Sequence, residues 1–193
     1  QFKDRAATTH SLPNMEVGLL EWGLSPSPDG QEPSHFQAAF IVADIFMQMI
    51  DSSLDHACYW PFRVPAGSEN SHRATVDDNN EPTIIRLFFQ FFRNLKNYRV
   101  VGSSINAANT EALAATSNSG SKMVVYILRK TGGSLNIRLN DAAGFLPATA
   151  EAVAYEAPGG NTASDTAQYS QPDTAIDGSG KVTFTVPGWS LTR

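Results

Sequence analysis

The sequence predicts an α/β segment followed by an all-β region: the last two βα units of a (β/α)8 barrel, then an antiparallel β-sandwich. Three observations carry this. Two short apolar runs, at 14–22 and 55–60, flank an amphipathic helix pattern. A second apolar helix pattern follows at 82–95. From about Val100 the chain turns into short β-type runs separated by Gly, Ser, Asn and Pro.

The first run, Asn14 to Trp22, follows a proline and precedes a Gly/Ser/Pro-rich loop, the pattern of a buried strand. If Met15, Val17 and Leu19 share one face, a period of two puts Glu21 on it as well, at the strand's C-terminal end, with Trp22 facing the other way. Ser34 is suited to cap a helix from His35 to Asp51, on which Phe36, Phe40, Ala43, Met47 and Ile50 recur at three- and four-residue spacing. The second strand runs from Asp55 to Trp60 and stops at Pro61. A long polar connection, 64–82, leads to the second helix, with Pro82 in its first turn. Beyond it, strands are expected at Ala112–Thr116, Lys122–Arg129, Ser134–Leu139, Thr149–Ala157, Lys181–Val186 and Ser190–Thr192. Residues 159–180 read as a long loop with one short edge strand near Thr166–Tyr169.

Two parallel strands with two helices leave their backbone edges unpaired and cannot cover both faces of a sheet. Residues 1–99 therefore read as strands 7 and 8 of a barrel with their helices, and residues 100–193 as a sandwich. The remainder of the barrel is expected upstream, as the missing N-terminal part of the same protein. The absence of an initiator Met and of a charged start before an apolar run fits a chain that begins mid-protein or has lost a leader.

The totals narrow the chemistry. With 193 residues, 41% of them hydrophobic and 17% charged, the chain has the composition of an ordinary globular protein. Its net charge of -5 is spread along the chain, with no basic stripe for a phosphate backbone or an anionic membrane, so neither nucleic acid nor membrane is an expected partner. Phe36–Ile50 is too short to span a bilayer and contains Asp44 and Gln48. Cys58, the single cysteine, gives no internal disulfide and reads as a small buried hydrophobe. His35 and His56 are too few for a metal site, His56 reads as a satisfied interior residue, and no phosphate loop or nucleophile elbow appears, so no cofactor is expected.

Glu21 is the conspicuous residue, because a carboxylate at the C-terminal end of a barrel strand stands where such folds assemble active sites. A Glu paired with a neighbouring Arg in the barrel mouth is the alternative. Trp60 at the end of the second strand offers a face on which a sugar ring stacks, or packs the barrel end. Tyr59, one position over, should point outward. Arg63, His72 and Arg73 lie in the polar loop that follows, as donors to sugar hydroxyls or as solvated charges.

The order Leu20-Glu21-Trp22-Gly23, polar loop, apolar helix, then Asp55-His-Ala-Cys-Tyr-Trp-Pro-Phe-Arg63, resembles the last two strands of clan A glycoside hydrolases. It looks most like the β-xylosidase/α-L-iduronidase, α-L-arabinofuranosidase and β-agarase/β-porphyranase branches. The resemblance implies a retaining glycoside hydrolase with Glu21 as nucleophile, Trp60 on the floor of the sugar site, a cis Trp60–Pro61 bond and a C-terminal β-sandwich. The acid/base of those families, a Glu at the end of strand 4, has no counterpart in the chain, so this fragment alone is expected to be inactive. A plant or algal polysaccharide or oligosaccharide is the implied substrate. Tyr-Trp-Pro-Phe-Arg leans toward agarose- or porphyran-type galactans, with β-xylosidase or α-L-arabinofuranosidase activity as the other substrate reading. An extracellular or periplasmic location follows from the resemblance, the single cysteine being compatible with the cytoplasm too. A non-catalytic carbohydrate-binding or scaffold module is the competing reading from another class.

Overall fold

The computed structural model describes residues 16–24, 33–52, 54–64, 73–140 and 147–193. Strand β1 (Gly18–Trp22) leads through helix α1 (His35–Asp51) to β2 (His56–Tyr59), and helix α2 (Ile84–Phe91) follows, prolonged by a 3-10 turn over Phe92–Leu95. β1 and β2 pair in parallel, as a strand–helix–strand crossover requires. Nine strands come next: β3 (Tyr98–Val101), β4 (Thr110–Ser117), β5 (Met123–Arg129), β6 (Leu135–Arg138), β7 (Ala154–Glu156), β8 (Gln168–Ser170), β9 (Thr174–Ile176), β10 (Val182–Val186) and β11 (Ser190–Thr192). They form a six-stranded sheet in the order β3-β4-β5-β11-β7-β8 and a three-stranded sheet β6-β10-β9, every pairing antiparallel.

The six-stranded sheet is apolar on both faces. Val124, Tyr126 and Leu128 of β5 join Leu113, Tyr155 and Leu191 in one cluster with Phe36, Phe40 and Phe88 of the helices. Val125 and Ile127, pointing the other way, cluster with Val182, Phe184 and Val186 of β10 and Ile137 of β6. A strand buried on both sides cannot alternate apolar with polar, which is why β5 reads Met-Val-Val-Tyr-Ile-Leu. Tyr126 has a polar tip to satisfy within this layer. Its hydroxyl donates to the Phe91 carbonyl at 3.1 Å, at the end of α2, and burial pushes its pKa up to about 12.

Helix α1 begins where the sequence places it. Ser34 Oγ accepts from the Gln37 amide at 3.1 Å while Gln37 Oε1 accepts from the Ser34 amide at 3.0 Å, a reciprocal capping box. Ser34 Oγ also donates to the Thr162 carbonyl at 2.7 Å, and the Phe36 amide donates to the Ser164 carbonyl at 3.1 Å, so the 162–164 segment holds the helix start. Phe36, Phe40, Ala43 and Met47 are buried, as their spacing requires.

Several expectations need correction. Pro82 is not in the first turn of α2 but in an isolated bridge to Val76, and Thr83 stands at the helix start, tied by its hydroxyl to the Ala74 carbonyl at 2.6 Å. β9 emerges from the stretch expected to be a long loop, and β3 stands where no strand was expected. Cys58 and His56 are exposed, because the β2 face away from the helices has no covering layer among the described residues. No described helix is long and apolar enough to cross a membrane.

One ion cluster ties the layers together. Lys130 Nζ, just past β5, donates to Asp44 of α1 at 2.8 Å and to Glu111 of β4. Burial works against the charged form of all three groups. Hydrogen bonds to Lys130 and Gln48 outweigh it for Asp44, whose pKa is lowered, and the two carboxylates outweigh it for Lys130, whose pKa is raised. Glu111 is raised, by burial first and then by Asp44.

Lys130→Met is expected to destabilise the chain by about 1–2 kcal/mol near neutral pH, since partial exposure screens the pair. A raised lysine contributes fully below its unfolded value and loses that contribution as pH climbs through the folded one; a lowered Asp44 loses its own as pH falls through its folded value. The gap between wild type and variant should therefore narrow below about pH 4 and above about pH 11. Urea midpoints across that range check this; a gap that stays constant below about pH 4 and above about pH 11 would mean that Lys130 acts by packing alone.

Candidate functional site

The C-terminal ends of β1 and β2 come together. The Trp60 amide donates to the Trp22 carbonyl at 2.8 Å, one step past the Trp22–Tyr59 pair of the ladder. The pairing also carries an irregularity: Leu19 stands opposite Ala57 and Trp22 opposite Tyr59, three residues along β1 against two along β2. The extra residue is a bulge. It breaks the strict period of two, so Leu19 is on the face of Ala57 and Tyr59, while Leu20 and Glu21 stand together opposite Cys58.

Trp22, as expected, faces the helices. Its ring stacks on Phe46 of α1 with centroids 6.4 Å apart, and meets Tyr59 at 4.9 Å and Phe89 of α2 at 6.1 Å edge-on. Tyr59 also points outward, and its hydroxyl donates to the Arg73 carbonyl at 2.8 Å; burial raises its pKa well above the ordinary phenol value. On the other side the strand ends are open. Glu21 is exposed, Leu20 is 79% accessible, Trp60 53% and Phe62 67%. The Trp60–Pro61 peptide is cis.

The loop residues separate into different roles. Arg73 is buried, and its Nη1 donates to the Leu24 carbonyl at 2.6 Å, three residues beyond Glu21; its Nε has no hydrogen-bond partner among the described residues. Arg63 is exposed, with Nη2 on the Asp78 carbonyl at 2.7 Å. His72 lies outside the described residues. The arrangement presents a carboxylate and an indole face on adjacent strand ends, with the Arg73 guanidinium pinning the chain just past Glu21. Nothing in a polar loop distinguishes in advance an arginine that turns inward. Gly23 was passed over too, although it is the most constrained position here: a Cβ on it would run into the Trp60 carbonyl oxygen. Among the described residues no three His, Cys, Asp or Glu are grouped to hold a metal ion.

No protein-family model matches the sequence, and no curated protein matches it. Solved structures do. A GH30 endoxylanase from Clostridium papyrosolvens superposes with a TM-score of 0.60 at 15% identity, over 96% of this chain and 42% of its own. A GH51 α-L-arabinofuranosidase from Thermotoga petrophila gives 0.62 at 12%, over 96% of this chain and 44% of its own. A family 39 glycoside hydrolase from Bacteroides cellulosilyticus gives 0.55 at 10%, over 92% and 33%. The likeness is one of fold, to glycoside hydrolases, and it takes in the parallel unit and the antiparallel sheets together. The chain spans less than half the length of each of these structures.

Gly23→Ala is expected to cost about 1–3 kcal/mol, because the clash is with backbone in a packed strand pair. Gly18→Ala, whose Cβ would meet only the His56 ring, should cost less, since that exposed ring swings aside. Denaturation of the two variants side by side checks this, and equal losses would contradict the close approach at Trp60.

Proposed function

We propose that the chain is the C-terminal portion of a retaining glycoside hydrolase: residues 1–99 complete a (β/α)8 barrel whose other strands lie upstream, and residues 100–193 form a β-sandwich braced against it. The observation that carries this is an exposed Glu21 at the C-terminal end of β1 beside an exposed Trp60 at the end of parallel β2. The glycoside hydrolase folds that align with nearly the whole chain support the reading, and so do the edges of the β1–β2 pair, which pair with no further strand among the described residues.

In this reading Glu21 attacks the anomeric carbon as the glycosidic bond breaks. A second carboxylic acid, from the upstream part and about 5 Å from Glu21, protonates the departing oxygen and then activates the water that releases the sugar. Trp60 lies under the apolar face of the ring. Arg63 and His72 would meet hydroxyls at the rim, while Arg73, buried and bonded to the Leu24 carbonyl, would fix the chain beside Glu21. The substrate class is a plant or algal polysaccharide. The named activities of the similar structures favour xylan and arabinan, and the Tyr59-Trp60-Pro61-Phe62-Arg63 resemblance favours galactans of the agarose type. A substrate panel should therefore hold both.

In the protein that includes the upstream barrel, Glu21→Gln should lower kcat by about four orders of magnitude or more, with substrate affinity largely kept. Trp60→Ala should weaken affinity and turnover together, because the ring is contacted in ground and transition states alike. Hydrolysis followed by NMR should show the anomeric configuration retained in the first-formed product. A Glu21→Gln variant with a tenth of wild-type turnover would end the assignment.

A further inference from the structure

A different surface carries the features of a sugar contact. Tyr169 sits in the middle of β8, the edge strand of the six-stranded sheet, with 53% of its surface accessible. An exposed tyrosine usually moves freely; this one is buttressed. Its ring meets Tyr155 edge-on at 5.6 Å, and Tyr155 in turn stacks on Phe88 at 6.0 Å and meets Phe91 at 5.3 Å, so a line of aromatics runs from the core to the surface. A ring held in place binds without first losing its own freedom.

Polar groups converge on the same spot. The Arg193 guanidinium lies 4.9 Å from the Phe91 ring centroid, and the Arg193 backbone is fixed by paired hydrogen bonds with Val153 at 2.8 and 2.9 Å. Gln90, exposed on α2, supplies an amide. Together with Tyr155 and Tyr169 these line a hollow of about 210 Å³ with no Asp or Glu among its lining residues. That is smaller than a pocket for a drug-sized ligand, roughly 300 Å³ and up, and is suited to one sugar ring. A larger hollow of about 340 Å³, lined by Asn136, Thr174, Thr183 and Thr185 on the three-stranded sheet, has the polar groups but no exposed aromatic ring to stack on.

We propose that the hollow between α2 and the β7–β8 edge is a saccharide-binding site, separate from the Glu21 and Trp60 strand ends. It takes one pyranose residue of an oligosaccharide, with the C–H face of the sugar on Tyr169 and its hydroxyls on Arg193 and Gln90. The choice of a saccharide rests on the glycosidase reading; the site itself does not depend on Glu21 being the nucleophile.

The test is an NMR titration with xylohexaose, following the ring signals of Tyr155 and Tyr169. They should shift saturably with a Kd of about 1 mM, about −4 kcal/mol, as a single-ring contact allows. Tyr169→Ala should weaken this about tenfold or more, Arg193→Gln should weaken it about fivefold, and Tyr169→Phe should stay within about threefold of wild type. Glu21→Gln should leave the shifts unchanged even where it abolishes hydrolysis, which separates this site from the catalytic assignment. No saturable shift, or a folded Tyr169→Ala variant whose Tyr155 shifts saturate with the wild-type Kd, would overturn the proposal.

Discussion

The structure depends on one aromatic layer trapped between the two parallel strands, the two helices and the six-stranded sheet. Trp22 and Tyr59 enter it from the strands, Phe36, Phe40 and Phe46 from α1, Phe88, Phe89 and Phe91 from α2, Phe92 from the 3-10 turn after it, and Tyr126 and Tyr155 from the sheet. Edge and stacked contacts link neighbouring rings of this layer. Burying such rings supplies about 2–3 kcal/mol each before entropy is counted. The functional reading follows from the same layer. Because Trp22 and Tyr59 are drawn into it, their neighbours Glu21 and Trp60 are left on the open side.

Polar contacts then set register and spacing where apolar packing is indifferent. The Arg73 guanidinium on the Leu24 carbonyl and the Tyr59 hydroxyl on the Arg73 carbonyl close a ring of contacts around the strand ends. Their value is directional, since a buried carbonyl left without a donor costs about 1–3 kcal/mol. Lys130 does a similar task between α1 and the sheet. In both places a cation reaches across from one segment to acceptors on another, which a purely apolar interface would leave free to slide.

Much of this was legible in the sequence because two periods are hard to counterfeit. The spacing of Phe36, Phe40, Ala43 and Met47 declares α1, and Ser34 declares its start. In β5, the alternation of Val124, Tyr126 and Leu128 with Val125 and Ile127 divides correctly between the two clusters that sandwich the sheet. Glu21 on the face away from the helices was expected for a reason that only half holds. A strict period of two would have put Leu19 beside it, and the bulge between Leu19 and Trp22 moves Leu20 there instead. A single inserted residue leaves no mark on composition. β9 was missed because Thr174-Ala175-Ile176 offers one large aliphatic residue, and its pairing with β10 is made by backbone. Arg73 was legible as a cation but not as a buried one, since that depends on Leu24 coming within reach through tertiary structure.

The central claim is that Glu21 forms the covalent bond to the sugar, and trapping tests it most directly. A 2-deoxy-2-fluoro glycoside with a good leaving group slows release of the sugar more than its attachment, so the glycosyl ester accumulates. Incubated with the protein that includes the upstream barrel and then digested, it should leave its added mass on the peptide containing Glu21, and that mass should be absent from the Glu21→Gln variant. An adduct on any other carboxylate, formed while Glu21 is intact, would contradict the account.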